Sequence, residues 1–190
     1  ISGATRTSSG KYGRALSFDG INDWVTVNDA NSLDLTTGTT LEAWVYPTVT
    51  PRGWRTIVAK ERVDDLSYFL HAGSRNGNKP AGGVNIDEEK FIYGTTKLPI
   101  NIWSFITVTY DGAYLRFFLN SVEVSNVSQN GLINASSSPL RIGGNNIYGE
   151  FFTGRIDEVR IYNRSLTQQE ILTDMNTPVG TLPVDVIPPT

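Results

Sequence analysis

The chain has no cysteine and a single histidine, His71, among its 190 residues. No disulfide framework, thiol nucleophile or thiolate metal site can be built from it. One imidazole also leaves no His-based zinc cluster and no obvious Ser–His relay. A metal bound here must take oxygen ligands, which favours Ca²⁺ or Mg²⁺. Excess positive charge is missing too, since 16 Lys and Arg stand against 19 Asp and Glu, a net charge of −3. Such a chain offers no basic field for nucleic acid or anionic lipid. No apolar run approaches the roughly 18 residues that cross a membrane. An initiator methionine and a signal-peptide pattern are also absent, which reads as a segment of a longer protein tethered to other domains.

What is present is alternation. In LEAWVY, Leu41, Ala43 and Val45 face one way while Glu42, Trp44 and Tyr46 face the other. Ile106, Val108 and Tyr110 alternate with Phe105, Thr107 and Thr109, and Leu115, Phe117 and Leu119 repeat the pattern. Turn signals punctuate these runs: Asn76-Gly77, Gly82-Gly83, Asp111-Gly112 and Gly143-Gly144. Many short strands with regular turns predict an all-β antiparallel sandwich. One short helix is expected over Gln168–Met175. Thr167 and Glu170 form a capping box there, with Leu166 and Ile171 at the staple positions. The expected domain spans 1–176, and the proline-bearing stretch 177–190 reads as a linker or tail.

Two stretches concentrate oxygen-bearing side chains. Asp19-Gly20-Ile21-Asn22-Asp23 is a tight turn between apolar segments, in keeping with ordinary turn chemistry. In GRIDEVRIY, Ile156 and Val159 are separated by an odd step, so either both faces of that strand are covered or it bulges at Asp157-Glu158.

The segments GKYGRALSFDGINDWVTV, LEAWVYP, WSFITVTYDG with LRFFLNS, LRIGG and FFTGRIDEVRIYNRSLTQQEI occur in the order of a known family. Together they resemble the laminin-G-like, concanavalin A-like jelly-roll domains of secreted bacterial proteins, over Gly10–Met175. The resemblance implies two packed antiparallel sheets with the first and last strands adjacent, and an extracellular location. It also implies a structural Ca²⁺ held by Asp19, Asn22, Asp23 and Asp157, with backbone carbonyls completing the shell. A second reading stays open: Asp19 accepts amides of its own turn, and Asp157 pairs with Arg14 or Arg155. Where relatives turn with Asn-Gly after the LRFFL-type strand, this chain has Asn120-Ser121. Serine tolerates positive φ less well than glycine, so a different turn type is expected.

The same architecture houses glucanases, which need two carboxyls about 5–5.5 Å apart in the retaining case. Their E-x-D-x-E or E-x-D-x-x-E pattern is absent. Asp87-Glu88-Glu89 is the nearest acidic run and reads as a solvated hairpin tip; His71 reads as a packing or strand-capping residue. The chain is therefore expected to be a binding module and not an enzyme. Sugars are held by aromatic faces and hydroxyl-bonding side chains. Two loops supply both: Arg52, Trp54 and Arg55 in TPRGWRT, and Asn145, Asn146, Tyr148 and Phe151 in GGNNIYGEFF. The expected partner is a glycan or polysaccharide. A protein receptor, as for an adhesion module, is the alternative.

Overall fold

The computed structural model describes residues 1–180, so the end of the expected tail, 181–190, lies outside the described residues. Thirteen strands run in chain order: β1 (Thr5–Thr7), β2 (Ala15–Asp19), β3 (Val25–Val27), β4 (Thr39–Pro47), β5 (Arg55–Arg62), β6 (Asp65–Gly73) and β7 (Ala81–Asn85). They continue as β8 (Glu89–Tyr93), β9 (Ser104–Tyr110), β10 (Tyr114–Leu119), β11 (Val122–Ser128), β12 (Leu140–Ile142) and β13 (Thr153–Tyr162). One helix, α1 (Gln168–Asn176), follows. A seven-stranded sheet has the order β1-β2-β13-β4-β9-β10-β11, and a six-stranded sheet the order β3-β12-β5-β6-β7-β8. Neighbouring strands are antiparallel throughout, and the two sheets form the expected jelly-roll sandwich.

Alternation explains how the sheets pack. Leu41, Ala43, Val45, Ile106, Val108, Leu115 and Phe117 point inward and meet Val58, Tyr68, Leu70, Ala72 and Val84 in one core. The opposite residues of β4 and β9 are buried as well. Trp44 and Phe105 form a second cluster with Phe118, closed by Leu166 and Ile171 of the helical segment. The helix starts as its sequence specifies. Thr167 Oγ1 accepts the Glu170 amide, and the Glu170 carboxylate accepts the Thr167 amide at 2.8 Å. Ile171 is fully buried, worth about 2–3 kcal/mol of transfer free energy.

Three local details depart from or refine the sequence reading. The pair Gly82-Gly83 is not a turn; it lies inside β7. A Cβ on Gly82 would meet Val108 at 2.6 Å, and one on Gly83 would meet the Phe69 ring at 2.5 Å and the Lys90 carbonyl at 2.1 Å. Their missing side chains make room for neighbours on the two faces of the sheet. Asn120 and Ser121 do form the two-residue loop with positive φ, at 50° and 63°, where a different turn was expected. Asn120 anchors it, its Oδ1 accepting the Phe105 amide at 2.9 Å. Of the two alternatives at Asp157-Glu158, the strand bulges: the pairing of β13 with β4 shifts between Asp157 and Arg160, and Glu158 has φ 53°.

Candidate functional site

The outer face of the six-stranded sheet carries an open cleft of about 490 Å³. Its floor follows from the period of two in β6 and β8, which turns Phe69 and His71, and Glu89, Phe91 and Tyr93, to the same side. Trp54, in the loop entering β5, lies over this floor. Its ring stacks on Phe91 at 5.2 Å and sits 5.3 Å from His71. Phe69 touches both Phe91 and His71, so four rings form a continuous platform. Trp54 is only partly covered, whereas His71 is 2 % exposed.

The facing wall comes from residues 143–150. Asn145 organises this loop from a fully buried position. Its Oδ1 accepts the Tyr148 amide at 2.7 Å, and its Nδ2 donates to Thr56 Oγ1 and to Glu150 Oε2, both at 2.8 Å. The Asn146 amide donates to Glu61 Oε1 at 2.6 Å, which ties the loop to β5. Glu150 adopts φ 49°, a strained conformation for a non-glycine residue, and its carbonyl accepts the Thr56 amide at 2.8 Å. Tyr148 leans across, half exposed, with its hydroxyl donating to Asp65 Oδ1 at 3.2 Å.

Electrostatics differ across the cleft. Burial drives the His71 pKa down to about 3, so its ring is neutral, and its Nδ1 has no hydrogen-bond partner. Burial raises Glu150, opposed by hydrogen bonds from Asn145 and Thr56 and by the charges of Arg55 and Arg75. Burial also raises Glu89 well above the usual carboxylate range, reinforced by the neighbouring carboxyls of Asp65 and Glu150. Tyr148 is pushed up to about 12 by burial and the neighbouring carboxyls.

The two loops singled out by sequence thus meet at one place. Trp54, Arg55 and Tyr148 line the cleft. Asn145 lies behind its wall as a buried scaffold. Arg52 and Asn146 are exposed outside the lining, and Phe151 turns away to stack on Trp24 at 5.7 Å. Glu89, Glu150, His71, Arg75 and Phe91 also line it and were not anticipated as site residues. The alternation Glu89, Phe91, Tyr93 in EKFIY was the available signal, since it places an acid and two aromatics on one face.

The expected calcium residues do not converge as a set of four. Asp19 pairs with Thr153, whereas Asp157 lies four residues further along β13, about 13 Å away at strand spacing. Asp157 instead accepts the amides of Lys11 and Tyr12, at 2.8 and 3.0 Å, and that of Glu158 at 3.0 Å. It pairs with neither Arg14 nor Arg155 among the described residues. Asp19 accepts the turn amides of Ile21 and Asn22, and buried Asp23 accepts the Asp19 amide at 2.9 Å. No group of three or more acidic or histidine side chains is poised for a metal among the described residues.

Comparison with known proteins decides the family. A family model for the concanavalin A-like lectin/glucanases superfamily matches residues 19–172. The chain belongs to this superfamily. No curated protein matches its sequence. Among solved structures, domain 4 of AbnA, a GH43 extracellular arabinanase from Geobacillus stearothermophilus in complex with arabinotriose, aligns with TM-score 0.73 and 19% identity. That alignment covers 92% of this chain and 82% of that one. The binding domain of Paraclostridial Mosquitocidal Protein 1 gives TM-score 0.71 at 18% identity, over 92% of this chain and 46% of that one. A candidate carbohydrate-binding protein from Bacteroides ovatus gives 0.66 at 18%, over 83% and 45%. At these identities the likeness to the solved structures shows a shared fold. No helix among the described residues is long and apolar enough to cross a membrane.

Proposed function

We propose that this lectin-type domain is a non-catalytic carbohydrate-binding module of a larger secreted or surface protein, and that the cleft holds the glycan. One observation carries the reading. Trp54 extends a four-ring platform at the open side of a cleft whose opposite wall offers the Glu150 carboxyl and the Tyr148 phenol, with the Arg55 and Arg75 guanidiniums lining it as well. Ring faces suit the C–H surface of a sugar, and the wall groups suit its hydroxyls. The arabinanase domain solved with arabinotriose supports the same ligand class for a neighbour of this fold.

Screening on a glycan array, followed by calorimetry with arabinotriose and the best array ligand, tests this. Trp54→Ala is expected to weaken binding about tenfold, equivalent to about 1.4 kcal/mol, and Tyr148→Ala by less. Arg52→Ala, outside the lining, leaves affinity unchanged. Silence across the array from a folded protein overturns the reading, and capture of a protein receptor instead would assign the adhesion role. Release of reducing ends from a bound polysaccharide would make the module an enzyme.

A structural calcium is proposed in reduced form, at the Asp19–Asp23 turn without Asp157. Asp23 is buried and faces no Lys or Arg in an ion pair among the described residues. Asp19, Asn22 and Asp23 would hold the ion, with backbone carbonyls supplying the remaining oxygens.

A further inference from the structure

The wall facing Trp54 ends on a residue whose backbone is unfavourable for its side chain. Glu150 sits at φ 49°, directly after Gly149 at φ 80°, in the left-handed region that favours glycine. The fold fixes it there from both ends. The Asn145 backbone amide donates to the Gly149 carbonyl at 2.9 Å, and the Glu150 carbonyl accepts the Thr56 amide at 2.8 Å. The side chain is fixed as well. Its Oε2 accepts Asn145 Nδ2 at 2.8 Å and, at a longer 3.5 Å, the Thr56 hydroxyl. Both partners are fully buried. Donors gathered on one oxygen favour the ionised carboxyl. The other oxygen, Oε1, takes no hydrogen bond from the described residues, and Glu150 lines the open cleft.

Neighbouring acids are placed differently. Glu61 has both oxygens engaged, Oε1 by the Asn146 amide at 2.6 Å and Oε2 by Arg141 at 3.0 Å. Asp65 accepts the Leu66 amide and the Tyr148 hydroxyl at Oδ1, and Asn85 Nδ2 at Oδ2. Glu89 lines the cleft from edge strand β8, with no backbone amide fixing its carboxyl among the described residues. Among these acids, only Glu150 joins a fixed carboxyl to a free oxygen on the cleft side. Its distance from the ring platform is set too, because Thr56 follows Trp54 by two residues. Upstream, the Gly53 amide donates to Asn78 Oδ1 at 3.1 Å. The Pro51 and Gly53 carbonyls lie so close over Gly73 that a Cβ there would meet them at 2.4 and 2.8 Å. Trp54 is therefore held between the β6–β7 connection and the strand that anchors Glu150.

We propose that Glu150 is the specificity-determining acceptor of the cleft, its Oε1 taking a hydroxyl hydrogen from the sugar residue stacked on Trp54. The proposal rests on the carbohydrate-binding reading above and adds a requirement to it. An ionised carboxylate only accepts, so the stacked sugar must turn an unsubstituted hydroxyl toward residues 143–150. That bond is charge-assisted. It forms on a carboxyl that Asn145 and Thr56 have already fixed, so little ordering is lost on binding. An ether, an ester or a missing hydroxyl at that position would desolvate Oε1 without supplying a donor. Backbone strain at Glu150 fits the same role, since such conformations cluster where a side chain must be aimed at a ligand.

The test titrates the strongest glycan from the array, and its mono-deoxy derivatives, into the wild type and Glu150→Gln. In the variant the Asn145 amide still holds the side-chain oxygen, so an NH₂ donor replaces Oε1 with the shape kept. The wild type should bind one mono-deoxy derivative about tenfold more weakly than the parent glycan. Glu150→Gln should bind the parent about tenfold more weakly, and the two losses should not add. Equal weakening of every derivative by Glu150→Gln makes the residue structural and overturns the proposal. So does an unchanged affinity, or a wild type indifferent to every deoxy position. A second readout holds even if the variant fails to fold. In the wild type, the Glu150 carboxyl ¹³C resonance should shift at saturation with the parent glycan while that of Glu61 stays in place. A still Glu150 resonance in the glycan-bound protein overturns the proposal and leaves the carbohydrate reading standing, whereas a silent array overturns both.

Discussion

The two sheets turn similar chemistry outward and finish it differently. On the seven-stranded sheet, Trp44, Phe105 and Phe118 point away from the core and are sealed by Leu166, Ile171 and Met175. On the six-stranded sheet, Phe69, Phe91 and Trp54 point away from the core; Phe69 is buried beneath the other two, and Phe91 and Trp54 stay partly open between polar walls. Each face also carries a carboxyl whose proton is held by burial and by a neighbouring acid, Glu42 near Asp174 beneath the helix and Glu89 near Asp65 in the cleft. Aromatics on an outer sheet face therefore do not announce a site. A helix supplied by the C-terminal segment makes one face a second core, and its absence leaves the other face free for a ligand.

Breaking the seal should cost stability and spare recognition. Ile171→Ala removes a fully buried side chain and is expected to destabilise by about 2–5 kcal/mol, lowering Tm by about 5–15 °C, with unchanged glycan affinity in the folded fraction. Calorimetric unfolding and a binding titration on the same sample check both halves. A large affinity loss would mean that the faces are coupled.

The buried carboxyl under the helix sharpens the contrast through pH. Glu42 is fully buried, its pKa pushed up to about 9 by burial and by Asp174, against a weaker opposing effect from Arg160. The unfolded chain releases this proton near the ordinary value of about 4.3, while the folded chain keeps it to about 9. Between those values the folded state binds more protons, so Glu42 makes stability fall as pH rises. Glu42→Gln should flatten that part of the Tm profile between pH about 5 and about 9. An unchanged slope would show that Glu42 does not retain its proton.

Smaller effects follow at the edges of the comparison. Thr167→Ala deletes half of the capping box and should cost about 1 kcal/mol, read from thermal melts, without touching the cleft. At the Asp19–Asp23 turn, EDTA should lower Tm by a few degrees, about 1 kcal/mol, and added CaCl₂ should restore it. No shift in either direction removes the calcium.

Legibility in the sequence follows the range of the interactions involved. Alternation in β4, β9 and β10 named the inward residues, because facing is a property of neighbours along the chain. The capping box and the odd step from Ile156 to Val159 were local as well; the helix started where expected, and the odd step resolved as the bulge. Register was not local. Strand adjacency brings β2 beside β13, yet four residues of offset separate Asp157 from Asp19, and only pairing across the sheet sets that offset. Gly82 and Gly83 read as a turn because the groups filling their Cβ space, Val108 and the Phe69 ring, arrive from other strands. The same limit hid Glu150, whose place in the cleft is set only where the 143–150 loop meets β5.

The central claim is that glycan binding occurs on the open face, at Trp54. Four tryptophans give it a direct readout, through the indole N–H resonances of Trp24, Trp44, Trp54 and Trp103 assigned by single Trp→Phe variants. Trp44 donates its indole N–H to the Met175 carbonyl under the seal, Trp24 stacks on Phe151 and Trp103 packs on Tyr46, all away from the cleft. Titration with the bound glycan should shift the Trp54 resonance and leave the other three in place. Saturation that moves Trp24, Trp44 or Trp103 while Trp54 stays still would contradict the account.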